Sequence, residues 1–92
     1  MRLYQLRLEE GVRETIQQLP GNIRQRVKHL VDDLRRNPRP ANATELRGEL
    51  RGRYRIRLGN WRIVYKVEDE IVTVTVIKVG LKEGPEFYMD AQ

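Results

Sequence analysis

Three arginines in alternation, Arg53, Arg55 and Arg57, are followed by Arg62 on the far side of the dipeptide Gly59-Asn60. A guanidinium group is a planar fork of donors that matches the oxygens of a phosphate and stays charged at any relevant pH. Tyr54, Ile56 and Leu58 alternate with the arginines in the manner of a half-buried strand, so the cations share one face. Gly59-Asn60 is a turn of the kind that closes a β-hairpin. Pairing Leu58 with Trp61 around it sets Arg57 opposite Arg62. Like charges directly opposite each other destabilise a sheet, and an anion bridging them offsets that cost. A phosphodiester held in this way would also have the extra negative charge of its transition state stabilised. Arg47 and Arg51, in the preceding segment, can add to the patch. The same residues equally suit a solvated strand face that keeps the protein in solution, and spacing alone leaves both readings open.

Tyr88 is the candidate for proton transfer. Positive charge nearby favours the phenolate, which could take a proton from a ribose 2′-hydroxyl. A tail aromatic plugging the edge of the core is the plainer account of that residue. Other chemistries lack their parts. His29 is the single histidine, mid-helix between Lys28 and Leu30, so a histidine-pair ribonuclease cannot be built within one chain. Asp32, of the pair Asp32-Asp33, is expected to pair along its helix with Lys28 and Arg36, and Glu68-Asp69-Glu70 reads as a hairpin turn. Neither resembles a two-metal carboxylate site. No helix follows Gly48, Gly52 or Gly59, so none opens a phosphate loop. Serine and cysteine are absent, which removes serine hydrolases, thiolate nucleophiles, disulfides and Cys-based metal sites. No cofactor or metal is expected.

The elements that must carry these residues follow from periodicity. Residues 2–8 alternate and read as a short strand. Glu9 and Glu10 open a helix, where acidic groups suit the positive end of the dipole. Val12, Ile16 and Leu19 line its apolar side until Pro20-Gly21 stops it. Ile23, Val27, Leu30, Val31 and Leu34 form the apolar stripe of a second helix, ended by Asn37-Pro38-Arg39-Pro40. So short a link predicts an antiparallel helical hairpin. Residues 41–50 read as a loop. Strands are expected over Arg53–Leu58, over residues 61–67 and over residues 71–79, with Gly80 breaking the last and residues 81–92 irregular or forming a short final strand. The expected fold is α+β: strand, helix, helix, strand, strand, strand, with the helical hairpin on one face of a mainly antiparallel sheet and the arginines on the other. Arg62→Ala is expected to spare the fold, because Arg62 faces away from the core.

The 92 residues fit a single domain, 1–92, and the formal net charge of +5 points to a polyanionic or acidic partner. The segment MRLYQLRLEE lacks the apolar core of a signal peptide, and no run approaches the length of a membrane helix. The expected location is the cytoplasm, without a membrane partner.

Leu46-Arg47-Gly48, the block Tyr54-Arg55-Ile56-Arg57-Leu58-Gly59-Asn60-Trp61-Arg62-Ile63-Val64-Tyr65, Val79-Gly80 and Glu86-Phe87-Tyr88 together resemble the RelE/ParE toxin superfamily of type II toxin–antitoxin pairs, over essentially the whole chain. The resemblance implies a RelE-like domain that cuts mRNA in the ribosomal A site without a metal. In that reaction the 2′-hydroxyl attacks the adjacent phosphate and leaves a 2′,3′-cyclic phosphate and a 5′-hydroxyl. Carried over to this chain, the catalytic set is Arg55, Arg57, Arg62, Lys82 and Tyr88. Arg62 and Lys82 would hold the phosphate, Arg55 and Arg57 would neutralise charge, and Tyr88 would activate the 2′-hydroxyl. Arg47, Arg51, Arg53, Arg55 and Arg62 are the expected RNA-binding residues. The implied partners are the ribosome with its rRNA, mRNA, and a cognate acidic antitoxin. The chain departs from the family in Lys82, where arginine is frequent, in Gly84-Pro85, and in carrying arginine at 55 and 57, where some active members have lysine. The same fold also serves ParE-like poisons of DNA gyrase and could serve a binding module without activity.

Overall fold

The computed structural model describes residues 3–50 and 52–81. Lys82, Tyr88 and Arg51 lie outside the described residues, as does the possible final strand around Phe87.

The chain runs β1 (Gln5–Leu8), α1 (Val12–Gln17), α2 (Gly21–Leu34), β2 (Ala43–Glu45), β3 (Arg53–Leu58), β4 (Trp61–Glu68) and β5 (Thr73–Leu81). The five strands form one sheet in the order β1-β5-β4-β3-β2. β1 lies parallel to β5, and every other neighbour is antiparallel. The α+β architecture is therefore as expected. β2 is an addition: its residues, read as loop, pair with β3 through Ala43↔Ile56, Thr44↔Arg55 and Glu45↔Tyr54.

Three boundaries differ from expectation. α1 begins at Val12, later than Glu9, because Gly11 takes φ +87° and breaks helical continuity. Glu9 instead extends the sheet, its N–H donating to Val76 O at 2.9 Å. β5 starts two residues late because Val72 adopts a left-handed conformation, φ 49°, ψ 53°, closing the turn at Asp69–Ile71. Gly80 does not end β5. It pairs with Arg62, and the strand continues to Leu81 opposite Trp61.

The apolar stripes of both helices meet one face of the sheet. Val12 and Ile16 from α1 and Val27, Val31 and Leu34 from α2 pack with Ile56, Ile63, Tyr65, Val74, Val76 and Val79. Fully burying one such aliphatic side chain stabilises by about 1.5–3 kcal/mol, so this interface dominates the fold. The segment after α2 is tied down by polar contacts. Tyr65 Oη donates to Pro38 O at 2.7 Å. The Arg39 guanidinium donates to both carboxylate oxygens of Asp69, at 3.1 and 2.8 Å, and through Nε to Tyr54 Oη at 2.8 Å. Tyr4 Oη donates to Asp69 Oδ1 at 2.7 Å, joining the N-terminal strand to the same cluster. Burial, above all, raises the pKa of the Tyr65 phenol.

Candidate functional site

The β3–β4 hairpin turns at Gly59, whose φ of +62° suits a residue without Cβ, while Asn60 keeps a negative φ. Glycine first with positive φ is the pattern of a type II′ hairpin turn, whose twist matches that of the strands. The register that follows is Leu58↔Trp61 and Arg57↔Arg62, as read from the sequence. Leu58 and Trp61 pack toward the helices. Arg57 and Arg62 therefore lie on the opposite face, with Arg55 opposite Val64 and Arg53 opposite Lys66.

That face carries more cations than the sequence reading assigned to it. Lys66 alternates with Arg62 and Val64 along β4 and was legible by that rule. Lys78 was not. A register irregularity between Val64 and Tyr65 pairs Val64 with Lys78 but Tyr65 with Val76, leaving Ile77 as the extra residue. This β-bulge turns both Ile77 and Lys78 to the basic face and keeps Val76 and Val79 in the core. A bulge re-aims side chains in just this way. Arg7, paired with Thr75, which in turn faces Lys66, extends the row to the edge strand. At the centre of the face Val64, fully buried, packs with Leu46 and Ile77 as a small apolar patch. Arg47 follows Leu46 and is exposed.

The four arginines are not equivalent. Arg57 is exposed, and Arg53 and Arg55 are half-buried. Arg62 is only 9% exposed. One of its terminal nitrogens donates to Gly59 O at 2.8 Å and to Trp61 O at 3.0 Å. The expectation that Arg62 stands apart from the fold needs correction: it faces away from the helices, yet it braces the hairpin turn. Its Nε and that of Arg53 are shielded and meet no acceptor among the described residues. Two buried guanidinium donors without acceptors on one cationic face invite an anion, since leaving such groups unsatisfied costs about 1–3 kcal/mol or more.

The acidic clusters are accounted for by pairing. Asp32 accepts from Arg36 at 2.9 Å and lies 3.8 Å from Arg35; the expected Lys28 partner is replaced by Arg35. The hydrogen bond from Arg36 lowers the Asp32 pKa. Asp69 is held below the ordinary carboxylate value by the hydrogen bonds from Arg39 and Tyr4. His29 is exposed on α2 and lines a cavity of about 440 Å³ together with Arg26, Leu30, Leu34 and Ile56, on the helix side of the sheet and not among the strand arginines. No helix among the described residues is long and apolar enough to cross a membrane.

A family model described as the ParE toxin of the type II toxin–antitoxin system parDE matches residues 4–83. The mRNA interferase toxin RelE of Escherichia coli (strain K12) is 34% identical over 90 residues, covering 96% of this chain and 93% of the relative. Toxin RelG of Mycobacterium tuberculosis is 32% identical over 77 residues, 83% of this chain and 87% of that one. A free-state structure of an arginine-to-alanine mutant of Escherichia coli toxin RelE superposes with a TM-score of 0.79 at 35% identity, over 97% of this chain and 94% of that one. A chain of the intact Escherichia coli RelBE toxin–antitoxin complex gives 0.75 at 34% identity, over 88% and 99%. With its sheet order, its basic hairpin and these relatives, the chain belongs to the RelE/ParE superfamily of toxins from type II toxin–antitoxin systems.

Proposed function

We propose that this toxin is an endoribonuclease that stops translation by cutting mRNA in the ribosomal A site, with no metal in the reaction. The observation that carries the reading is the Arg57↔Arg62 pair on a strand face that also holds Arg53, Arg55 and Lys66. A relative 34% identical over nearly the full length carries the name mRNA interferase.

In this reading Arg62 and Lys82 hold the scissile phosphate. The Arg62 Nε is shielded and meets no acceptor among the described residues, which leaves that donor for a phosphate oxygen. Tyr88 withdraws the proton from the 2′-hydroxyl. The freed oxygen attacks phosphorus, the bond to the 5′-oxygen breaks, and that oxygen takes a proton from water and leaves as a hydroxyl. Arg55 and Arg57 offset the added charge on the phosphoryl oxygens, a contribution of the oxyanion-hole type. The need for a 2′-hydroxyl restricts the substrate to RNA. Arg47, Arg51 and Arg53 extend the grip along the strand. An acidic antitoxin covering the same face holds the toxin inactive, in line with the relative solved in a RelBE toxin–antitoxin complex.

Primer extension on a defined mRNA in a reconstituted translating ribosome tests the reading. Wild type should give discrete A-site breaks, and Tyr88→Phe should lose most of them. The matching family model takes its description from the ParE toxin, so a supercoiling assay with DNA gyrase belongs beside it. Gyrase-dependent DNA breaks without mRNA cleavage would establish a gyrase poison in place of the nuclease, and silence in both assays would indicate a binding module.

A further inference from the structure

The opposed cations at the hairpin turn have a second copy. Arg57 faces Arg62, and further back along the same strands Arg53 faces Lys66 on the same side of the sheet. Directly opposed like charges weaken a sheet, so a second such pair calls for its own explanation. Arg53 is half-buried, its Nε is shielded without an acceptor, and no ion pair or hydrogen bond neutralises its guanidinium among the described residues. Lys66 has Glu68 at 3.7 Å, with side chains 38% and 43% exposed, a loose contact of the solvent-screened kind. The pair is thus a double positive charge offset by a single solvent-screened carboxylate, with a donor already desolvated.

A single phosphate cannot bridge both pairs. Positions 53 and 57 are about 13 Å apart along a strand. That distance is roughly two internucleotide steps of an extended nucleic-acid chain, and Arg55 falls midway. We propose that Arg53 and Lys66 form a second phosphate subsite, which holds the backbone of single-stranded RNA about two links away from the phosphate at Arg57 and Arg62. The inference rests on the nuclease reading for its choice of RNA: a strand whose linkage lies between Arg57 and Arg62 has to continue over this face, and the β3 ladder gives it a cation at each alternate residue. Arg53 and Lys66 then fix the register of the message, which decides which linkage meets Arg62.

The test uses the isolated protein and fluorescent 2′-O-methyl oligoribonucleotides, which cannot be cleaved, in a series from dinucleotide to hexanucleotide. Wild type should bind the tetranucleotide about tenfold more tightly than the trinucleotide, the gain from one charge-assisted phosphate contact. In the double variant Arg53→Gln/Lys66→Gln that step should vanish. The slope of log affinity against log salt should fall by about 0.7, the value for one phosphate of a single strand. The double variant should melt no lower than wild type, because a like-charge pair has gone. A flat length dependence in wild type overturns the subsite, as does a double variant that retains the step. Arg57→Gln separates the two claims. If it leaves dinucleotide binding untouched while the double variant still loses the length step, the subsite stands and the assignment of the turn-side pair fails. Wild type that binds an acidic peptide but no oligonucleotide of any length overturns both in favour of a protein partner.

Discussion

Arg57 and Arg62 share a cross-strand pair but not an environment, and under the proposed nuclease function the difference separates catalysis from stability. Arg57 is exposed and meets no partner among the described residues. Arg57→Ala should change stability by no more than about 0.5 kcal/mol while lowering mRNA cleavage about 100-fold or more, the usual loss on removing a donor to developing charge. Arg62 is almost buried and holds two turn carbonyls. Arg62→Ala should abolish cleavage and also cost about 1–3 kcal/mol by urea denaturation. Equal stability of the two variants would contradict the bracing role. Asp69 offers a second residue-level test. The hydrogen bond from Arg39, and then that from Tyr4, depress its folded pKa. Ionised Asp69 therefore favours the folded state above the ordinary carboxylate pKa of about 3.9, and that contribution disappears as pH falls through the lower folded value. The stability gap between wild type and Asp69→Asn should be constant above about pH 5 and close in stronger acid. A gap that persists to pH 2 would assign the effect to packing.

At the scale of the element, the hairpin depends on Gly59. A Cβ there would meet open space, so the obstacle to substitution is the backbone angle of +62° and not crowding. Gly59→Ala should destabilise by about 1–2 kcal/mol. It should also reduce cleavage beyond what the stability loss accounts for, because a shifted turn separates Arg57 from Arg62. Cleavage that merely tracks the folded fraction would show that the register tolerates the change. This element was the most legible part of the sequence: alternation gave the faces of β3 and β4, and the two-residue turn then fixed their pairing. β2 was hidden because Ala43, Thr44 and Glu45 are too few to show a period, and they become a strand only by bonding to β3. Lys78 was hidden because a bulge changes the parity of β5, and parity is what a period-2 reading assumes. The hold of Arg62 on Gly59 and Trp61 was hidden because an alternation rule assigns a side chain to a face without saying where its end folds back.

Charge is segregated across the whole molecule. At the end of α2 and at the β4–β5 turn, carboxylates pair with guanidiniums, as in Asp32 with Arg36 and Asp69 with Arg39. On the other side of the sheet the strands present Arg7, Arg53, Arg55, Arg57, Arg62, Lys66 and Lys78, with Glu68 as the acidic strand residue among those described. Among the described strand residues the positive charge is therefore concentrated on one face. A field of that shape steers anionic partners and speeds their encounter, whereas the contacts that hold a complex together act over short range and are screened less. With an acidic antitoxin as the partner, the association rate should fall steeply as salt rises through the range where the Debye length drops to about 10 Å and below, while the dissociation rate changes little. Arg53→Gln/Arg57→Gln should mimic high salt by slowing association and flattening its salt dependence. Stopped-flow mixing of toxin with purified antitoxin measures both rates. Association that ignores salt, or a salt effect carried entirely by dissociation, would mean that the antitoxin docks on another surface and that the basic face is left for RNA.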